Sequence, residues 1–357
     1  MSAWVEGESA VRLLLEAKKI GQPVQGLKAK NASLSGVDLS GMVLVESEFD
    51  TVDFSNCNLE RIVLSDCEMK AVRLDGARLN SATFFKTPIS GSSALGVYGY
   101  RWTVANSNVN GLDFTGSDLP EAKFAMCEFQ DCALSGSNLN HAAFVQVVHK
   151  KTNFSNCFLK QCVLHDLDLR TCVFKNVDAP MVVISSSILD GLDLSSCDLN
   201  RIQGHKASLR GTTMRHANLV GACFVDADVS QAIFSDALLS QASFLRVRGM
   251  GTNFSAAEMT QVKVIDCDFS KSTFEQIQAE QSIWHRSMLS ESNFVGAKLF
   301  QADLIGAILR NSDLRKADFR RARLDRIDFE DALYDSDAMA VSRPKDDAYA
   351  EFILASA

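Results

Sequence analysis

Large apolar residues recur along this chain at every fifth position. The series starts Leu34, Leu39, Leu44, Phe49, Phe54, Leu59, Leu64, Met69 and continues to Tyr334 without one slip in register. Of its 61 positions, 54 carry a large apolar side chain; the exceptions are Ala94, Gly99, His149, Ala179, Gly204, Gly249 and Ala279. Two residues before each of these positions runs a second series, mostly small: Ala32, Ser47, Cys57, Cys67, Ala77, Ala82 and, late in the chain, Ala302, Ala307, Ser312, Ala317, Ala322. Between the two lies a polar residue, often Asp or Asn, as at Asp38, Asp53, Asn138, Asn218 and Asp303. A period of five fits neither the 3.6 of a helix nor the 2 of a strand. It fits a chain that turns a corner every five residues, so that four short sides close one square coil of about twenty residues. The large and the small residue then point inward and the other three face water.

Composition sharpens that picture. Eighteen of the 22 Phe fall in the inward series, against 4 Tyr and 3 Trp in the whole chain. A buried phenol or indole needs a polar partner, and a dry core offers few. With 46% hydrophobic and 22% charged residues the chain is neither disordered nor collagen-like. No run of 18 apolar residues predicts a membrane span. The N-terminus, MSAWVEGESAVRLLLEAKK, lacks the basic-then-apolar signature of a secretory signal.

The unit can be written A(D/N)LXX, and runs such as AKLFQADLIGAILRNSDLRKADFRRARL and ANLVGACFVDADVSQAIFSDALL carry it most clearly. This resembles the pentapeptide repeat family. The resemblance implies an all-β fold, a right-handed quadrilateral β-helix (a pentapeptide-repeat solenoid) with short helical caps. Three segments are expected: a helical cap over 1–29, the β-helix over 30–334, and a tail over 335–357. About 15 coils at the ordinary strand spacing of ~4.8 Å would make a rod roughly 70 Å long. Solenoid ends need caps. Glu8 to Ile20 reads as an amphipathic helix with Val11, Leu14, Leu15 and Lys18 on one face and Gly21 as its stop. The last segment, AYAEFILASA, reads as a short apolar helix.

Candidate chemistry is sparse. Nine of the ten cysteines occupy the small inward slot, Cys223 being the exception, and no two inward cysteines are twenty apart. They read as compact buried thiols, which favours a reducing compartment. The six histidines, His141, His149, His165, His205, His216 and His285, show no metal-ligand spacing. Most aspartates belong to the repeat, and no P-loop, GxGxxG or GxSxG is present. The expectation is a non-enzyme with no catalytic residues, no cofactor and no metal.

The register is worn at 85–102, FKTPISGSSALGVYGYRW, where the inward bulk is lost at Ala94 and Gly99 and Tyr98, Tyr100 and Trp102 gather. These three are candidate contacts in an exposed aromatic patch; the alternative is one worn coil, or a loop extruded in multiples of five residues. Missing bulk at the glycines and alanines of the series is expected to bend the rod or open a hollow.

Two functional classes follow. In the first, the rod is a rigid scaffold for protein–protein interaction. The entry segment QGLKAKNASLSGVDLSGM after a short helix resembles accessory proteins of contractile (type VI) secretion, which implies a bacterial secretion-system accessory or effector protein. In the second, the resemblance implies a DNA mimic that binds DNA gyrase or another topoisomerase. Mimicry needs a strongly acidic face. Net charge is −8, and residues 31–200 carry 20 acids and 12 bases, with Glu46, Glu48 and Asp50 the candidate contacts. A duplex ~70 Å long carries roughly 40 negative charges, so mimicry along the full length is not expected, and neither is direct nucleic-acid binding. The basic belt Arg310, Arg315, Lys316, Arg320, Arg321, Arg323 and Arg326 is interleaved with acids and reads as a solvated surface. The protein partner is left open. The C-terminus is expected either to seal the last coil as a cap or to self-associate through Tyr349, Phe352, Ile353 and Leu354, spaced like one helical face; the resemblance to gyrase-binding members implies the end-to-end dimer. The expected location is the cytoplasm, with export by a specialised secretion system as the alternative.

Overall fold

In a computed structural model of the chain, the structure is described for residues 3–335 and divides into two compact units, residues 3–193 and 194–335. The tail residues Tyr349, Phe352, Ile353 and Leu354 lie outside the described residues. Each unit is an all-β parallel solenoid. Successive strands on one face are twenty residues apart, as in the pairs Val43 with Val63 and Leu44 with Leu64. The first unit holds two eight-stranded parallel sheets. One runs from Val24–Gln25 to Val163–His165 and the other from Val5–Glu6 to Val148–Lys150. The remaining two sides are single bridges such as Asp38 with Asn58. The second unit has one three-stranded sheet, Cys223–Val225, Ser243–Leu245 and Lys263–Ile265, and is otherwise bridged residue by residue.

The corner is made by the backbone. From Asn31 to Asp331 every fifth residue except Thr171 has a left-handed φ, for example 73° at Gly36 and 49° at Glu46. At many corners the amide two residues after an apolar slot's neighbour closes a tight turn, as Val37 N–H donates to the Leu34 carbonyl at 2.9 Å. Left-handed backbone costs an L-residue roughly 1–2 kcal/mol. Stacking repays it, because almost every inward backbone group pairs with the coil before or after.

The repeat's Asp or Asn has a definite job. Its Oδ1 accepts the backbone N–H two residues on, at 2.9 Å from Asp53 to Ser55 and 2.9 Å from Asn153 to Ser155. This side-chain mimic of a turn is what Asp and Asn do best. Among the described residues it occurs only on bridge-type sides. Where the slot holds Val43, Val63, Thr83 or Thr103 instead, the side extends into a three-residue strand.

The inward apolar residues are buried from Leu34 to Phe319, half-buried at Leu324 and Phe329 and exposed at Tyr334, and many of their rings stack from coil to coil. Phe234, Phe254, Phe274 and Phe294 form one ladder with centroids 5.0, 5.2 and 4.6 Å apart. The missing bulk opens no hollow at the glycines. A Cβ on Gly204 would stand 2.7 Å from the Phe224 ring, and one on Gly249 would strike the Phe269 ring. The expected hollow is already filled by an aromatic residue one coil on.

The N-terminal cap is a helix, Gly7–Ile20, stopped by Gly21 in the left-handed region at φ 73°. Its buried residues are Ala10 and Leu14, while Leu15 points outward, so the core face is narrower than the sequence spacing implied. Val5–Glu6 also pairs in parallel with Ala29 and Lys30, extending a sheet before the helix begins.

Candidate protein-interaction site

The worn segment sits within the first unit as a regular coil. The strand Thr103–Ala105 pairs with Thr83–Phe85 and Lys123–Ala125 in register. Tyr98 is bridged to Arg78 on one side and Asp118 on the other. Arg78, Asn80, Tyr98, Tyr100 and Asp118 line a surface cleft of about 480 Å³. Tyr98 is 54% exposed and Tyr100 39%.

Trp102 does not belong to that surface, contrary to the sequence expectation. It is fully buried, in edge-to-face contact with Phe84 at 5.2 Å, Phe114 at 5.9 Å and Phe124 at 6.2 Å. It occupies the small inward slot. The space it needs comes from Gly99, whose Cβ would stand 3.3 Å from Trp102 and 2.7 Å from Leu119. Its indole N–H is buried without a partner.

The cleft is held by polar contacts between coils. Arg78 donates to Glu60 at 2.8 Å through Nη2 and at 3.1 Å through Nε, and Asn80 donates to the same Oε1 at 3.1 Å. The Tyr100 backbone amide donates to the Asn80 side-chain oxygen Oδ1 at 3.0 Å. Arg101 lies over the Tyr100 ring at 4.9 Å and pairs with Glu121 at 2.7 Å. That hydrogen bond holds the Glu121 carboxyl below its ordinary range. Both tyrosines therefore stand on a braced platform, with one carboxylate, Asp118, at the cleft wall taking a hydrogen bond from Asn138 at 2.7 Å.

The acidic candidates lie elsewhere. Glu48 and Asp50 are outward on the charged eight-stranded sheet, and Glu46 is at its corner. By the four-sided repeat that sheet is opposite the side carrying Tyr98. Lys28 pairs with Glu48 at 2.7 Å, Lys30 with Asp50 at 3.2 Å, and Gln25 donates to Glu46 at 3.0 Å. The local charge is largely compensated. The basic belt is likewise laced. Arg315 and Arg320 fold back on Asp313 and Asp318, and Arg310 and Arg323 bridge to Asp328 and Asp303.

The cysteines carry more structure than filler. All ten are free and nine are buried. The thiols of Cys57, Cys67, Cys127, Cys132, Cys157 and Cys267 donate to the carbonyl 23 residues earlier, as Cys57 to Leu34 at 2.8 Å and Cys157 to Leu134 at 2.9 Å. Serine and threonine in the same slot do the same, as Ser137 to Phe114 and Thr252 to Val229. Sequence reasoning missed this, though the mixture of Ala, Ser, Cys and Thr in one slot was its signal. Burial pushes Cys132 and Cys267 up to about 11 and Cys172 to about 12.

The sequence profile of the pentapeptide repeats matches eight copies, over residues 28–61, 47–84, 127–166, 187–224, 205–231, 232–270, 267–304 and 292–331. The chain belongs to the pentapeptide repeat family. The matches leave out 85–126, the stretch that contains the tyrosine cleft. A search among curated proteins finds no match. Among solved structures the chain is similar to a trypsin-treated form of QnrB1, a plasmid-mediated fluoroquinolone resistance protein, at 14% identity over 90% of this chain and 95% of that one, TM-score 0.20. It is similar to HetL, a pentapeptide repeat protein involved in heterocyst differentiation regulation from the cyanobacterium Nostoc, at 17% identity over 84% and 87%, TM-score 0.16. It is also similar to the periplasmic alginate epimerase AlgG, at 8% identity over 93% and 84%, TM-score 0.22. None of the three carries an argument about activity or partner. Among the described residues no helix is long and apolar enough to cross a membrane.

Proposed function

We propose that this pentapeptide repeat protein is a non-enzymatic scaffold for protein–protein interaction, with the Tyr98–Tyr100 cleft as its contact site. One observation carries the reading: two exposed tyrosines stand on a braced coil in the stretch where the repeat departs from its own pattern. Tyrosine supplies large contact area at low entropic cost, and interface energy concentrates on such anchors. The experiment is affinity capture from the native host with the wild type and with Tyr98→Ala, Tyr100→Ala. A partner held by the first and lost by the second, at equal melting temperature, supports the cleft. Identical capture by both removes it.

A finer assignment, an accessory or effector of a bacterial secretion system, rests on the resemblance of the entry segment alone and is tested by the partner's identity. The competing reading is a DNA mimic that binds DNA gyrase. The Lys28–Glu48 and Lys30–Asp50 pairs count against it. Purified protein that stops supercoiling at stoichiometric concentration would restore it. Self-association through Tyr349, Phe352, Ile353 and Leu354 is a separate proposal. Truncation at residue 335 followed by light scattering decides it.

A further inference from the structure

The two eight-stranded sheets of the first unit share one architecture but not one surface. The sheet from Lys28–Lys30 to Val148–Lys150 presents Lys28, Glu48, Asp50, Glu68, Lys70 and Glu128 outward. The other presents mainly Val, Ala and Thr, and of its outward residues only Lys123 and His165 can carry charge. Val43, Val45 and Val63 are half-buried, while Phe85 is 36% and Val145 39% exposed. The fold does not require an apolar exterior here, since the sister sheet manages without one. Contiguous apolar surface of this kind marks an interaction site.

We infer that this panel is the interface of a dimer between two copies of the chain. The inference stands apart from the tyrosine cleft, which lies on another side. Three observations point to a second copy. The panel's side chains form ridges at the strand spacing of about 4.8 Å, and a partner must carry the same spacing to mesh along the whole length. A second copy does so by construction.

The second observation concerns size. In a two-fold arrangement with its axis parallel to the stacking direction, each coil meets its own counterpart with strands running oppositely. The first outward residue of a strand then faces the third outward residue of the second copy. Val63 meets Ser65, Thr83 meets Phe85, Thr103 meets Ala105 and Ala143 meets Val145, so on these coils a bulkier residue opposes a smaller one, while Val43 meets Val45 and Val163 meets His165. Lys123 meets Ala125, where its aliphatic stem lies along apolar surface and its head reaches water.

The third is charge at the rims. The corners flanking the panel come opposite each other, which sets Arg61 against Asp66 of the second copy, twice by symmetry. Arg61 has no ion pair among the described residues, and Asp66 has only Lys86 at 3.7 Å. Ser81 meets Lys86, Arg101 meets Asn106 and Glu121 meets Met126, so no like charges are opposed. Eight strands of five-residue sides make a face of about 38 by 16 Å. That is on the order of 600 Å² per copy and 1,200 Å² in total, at the lower end of specific interfaces. The dimer should therefore dissociate on dilution.

Sedimentation velocity of the full chain from about 1 to 100 μM tests this, a range that brackets micromolar association. The expected result is a concentration-dependent monomer–dimer equilibrium. Val63→Asp and Val145→Asp should each weaken it by at least about tenfold with the melting temperature unchanged, since both side chains point out of the core. Arg61→Asp and Asp66→Arg should each weaken it, and an equimolar mixture of the two should recover dimer by exchanging the paired charges. A monomer at the highest concentration overturns the inference. So does a dimer indifferent to the two Asp variants, or one lost only when residues 336–357 are removed.

Discussion

Gly99 and Trp102 have exchanged the sizes that the repeat assigns to their positions. The slot of Gly99 takes a large apolar residue nearly everywhere else, and that of Trp102 takes mostly Ala, Ser, Cys or Thr, otherwise a mid-sized apolar residue such as Val97 or Ile62, and no other aromatic residue among the described residues. The indole reaches across the corner into the space the glycine leaves, and a Cβ on Gly99 would lie 3.3 Å from it. The core is thus filled to its ordinary density by an inverted pair.

Inversion predicts strong non-additivity. Trp102→Ala alone removes a buried ring and should cost about 3–5 kcal/mol. Gly99→Leu alone forces bulk against Leu119 and Trp102 and should cost roughly 1–3 kcal/mol or more. The double variant rebuilds the common large–small arrangement, so it should cost less than Trp102→Ala. Denaturant unfolding of the four proteins measures the coupling; additive costs would refute the exchange.

The repeat made the fold legible because burial imposes one residue type on one position sixty times over. The failures trace to counting residue types without their slots. Trp102 was grouped with Tyr98 and Tyr100 by composition, yet its position is congruent with Ala77, Ala82 and Ser107, and register alone places it inside. The apolar panel went unseen because the three outward slots were treated alike. Reading Val43, Val63, Thr83 and Thr103 at intervals of twenty would have exposed it. The Tyr98–Tyr100 pairing was legible, since side chains two apart on one strand share a face.

The inter-coil thiol bond predicts which replacement each cysteine tolerates. Cys57→Ser keeps a donor for the Leu34 carbonyl and should change stability by less than about 1 kcal/mol. Cys57→Val has similar bulk but no donor, and should cost more. The buried thiols, with pKa values pushed up by burial, should also resist alkylation in the native protein and all react after denaturation. Rapid labelling of most thiols in the native state would contradict the packing described here.

Asp53 tests the side-chain turn. Asp53→Asn keeps an oxygen acceptor for the Ser55 amide and should be nearly neutral. Asp53→Ala strands that amide at the corner and should cost about 1 kcal/mol, as loss of an equivalent cap does at a helix start. Equal melting temperatures for the two variants would mean that water serves the amide as well as the side chain.

His149 should make the protein acid-sensitive in a window set by one residue. It sits in a large-residue slot, stacked on Phe129 at 5.6 Å and against Phe144 and Phe154 at 5.5 Å each. Nδ1 lies 3.1 Å from the Thr152 hydroxyl, and Nε2 is buried without a partner. Burial lowers its pKa from 6.5 to about 4, so the folded state holds the neutral ring. Between pH 6.5 and 4 the unfolded chain binds the extra proton and the folded one does not. Stability is then complete above about pH 6.5 and falls as the pH drops toward 4, below which this contribution levels off. At pH 5 the loss relative to pH 7.5 should be about 2 kcal/mol, from a shift of roughly 2.5 units at 1.36 kcal/mol each, partly realised. The depressed aspartates titrate lower, so they leave this window to the histidine. His149→Phe places a fourth ring among its neighbours and removes the titration. Unfolding free energies of both proteins at pH 7.5 and pH 5 provide the comparison. The gap between them should widen in favour of the variant at the lower pH, and a constant gap would show that His149 is charged or solvated in the folded coil.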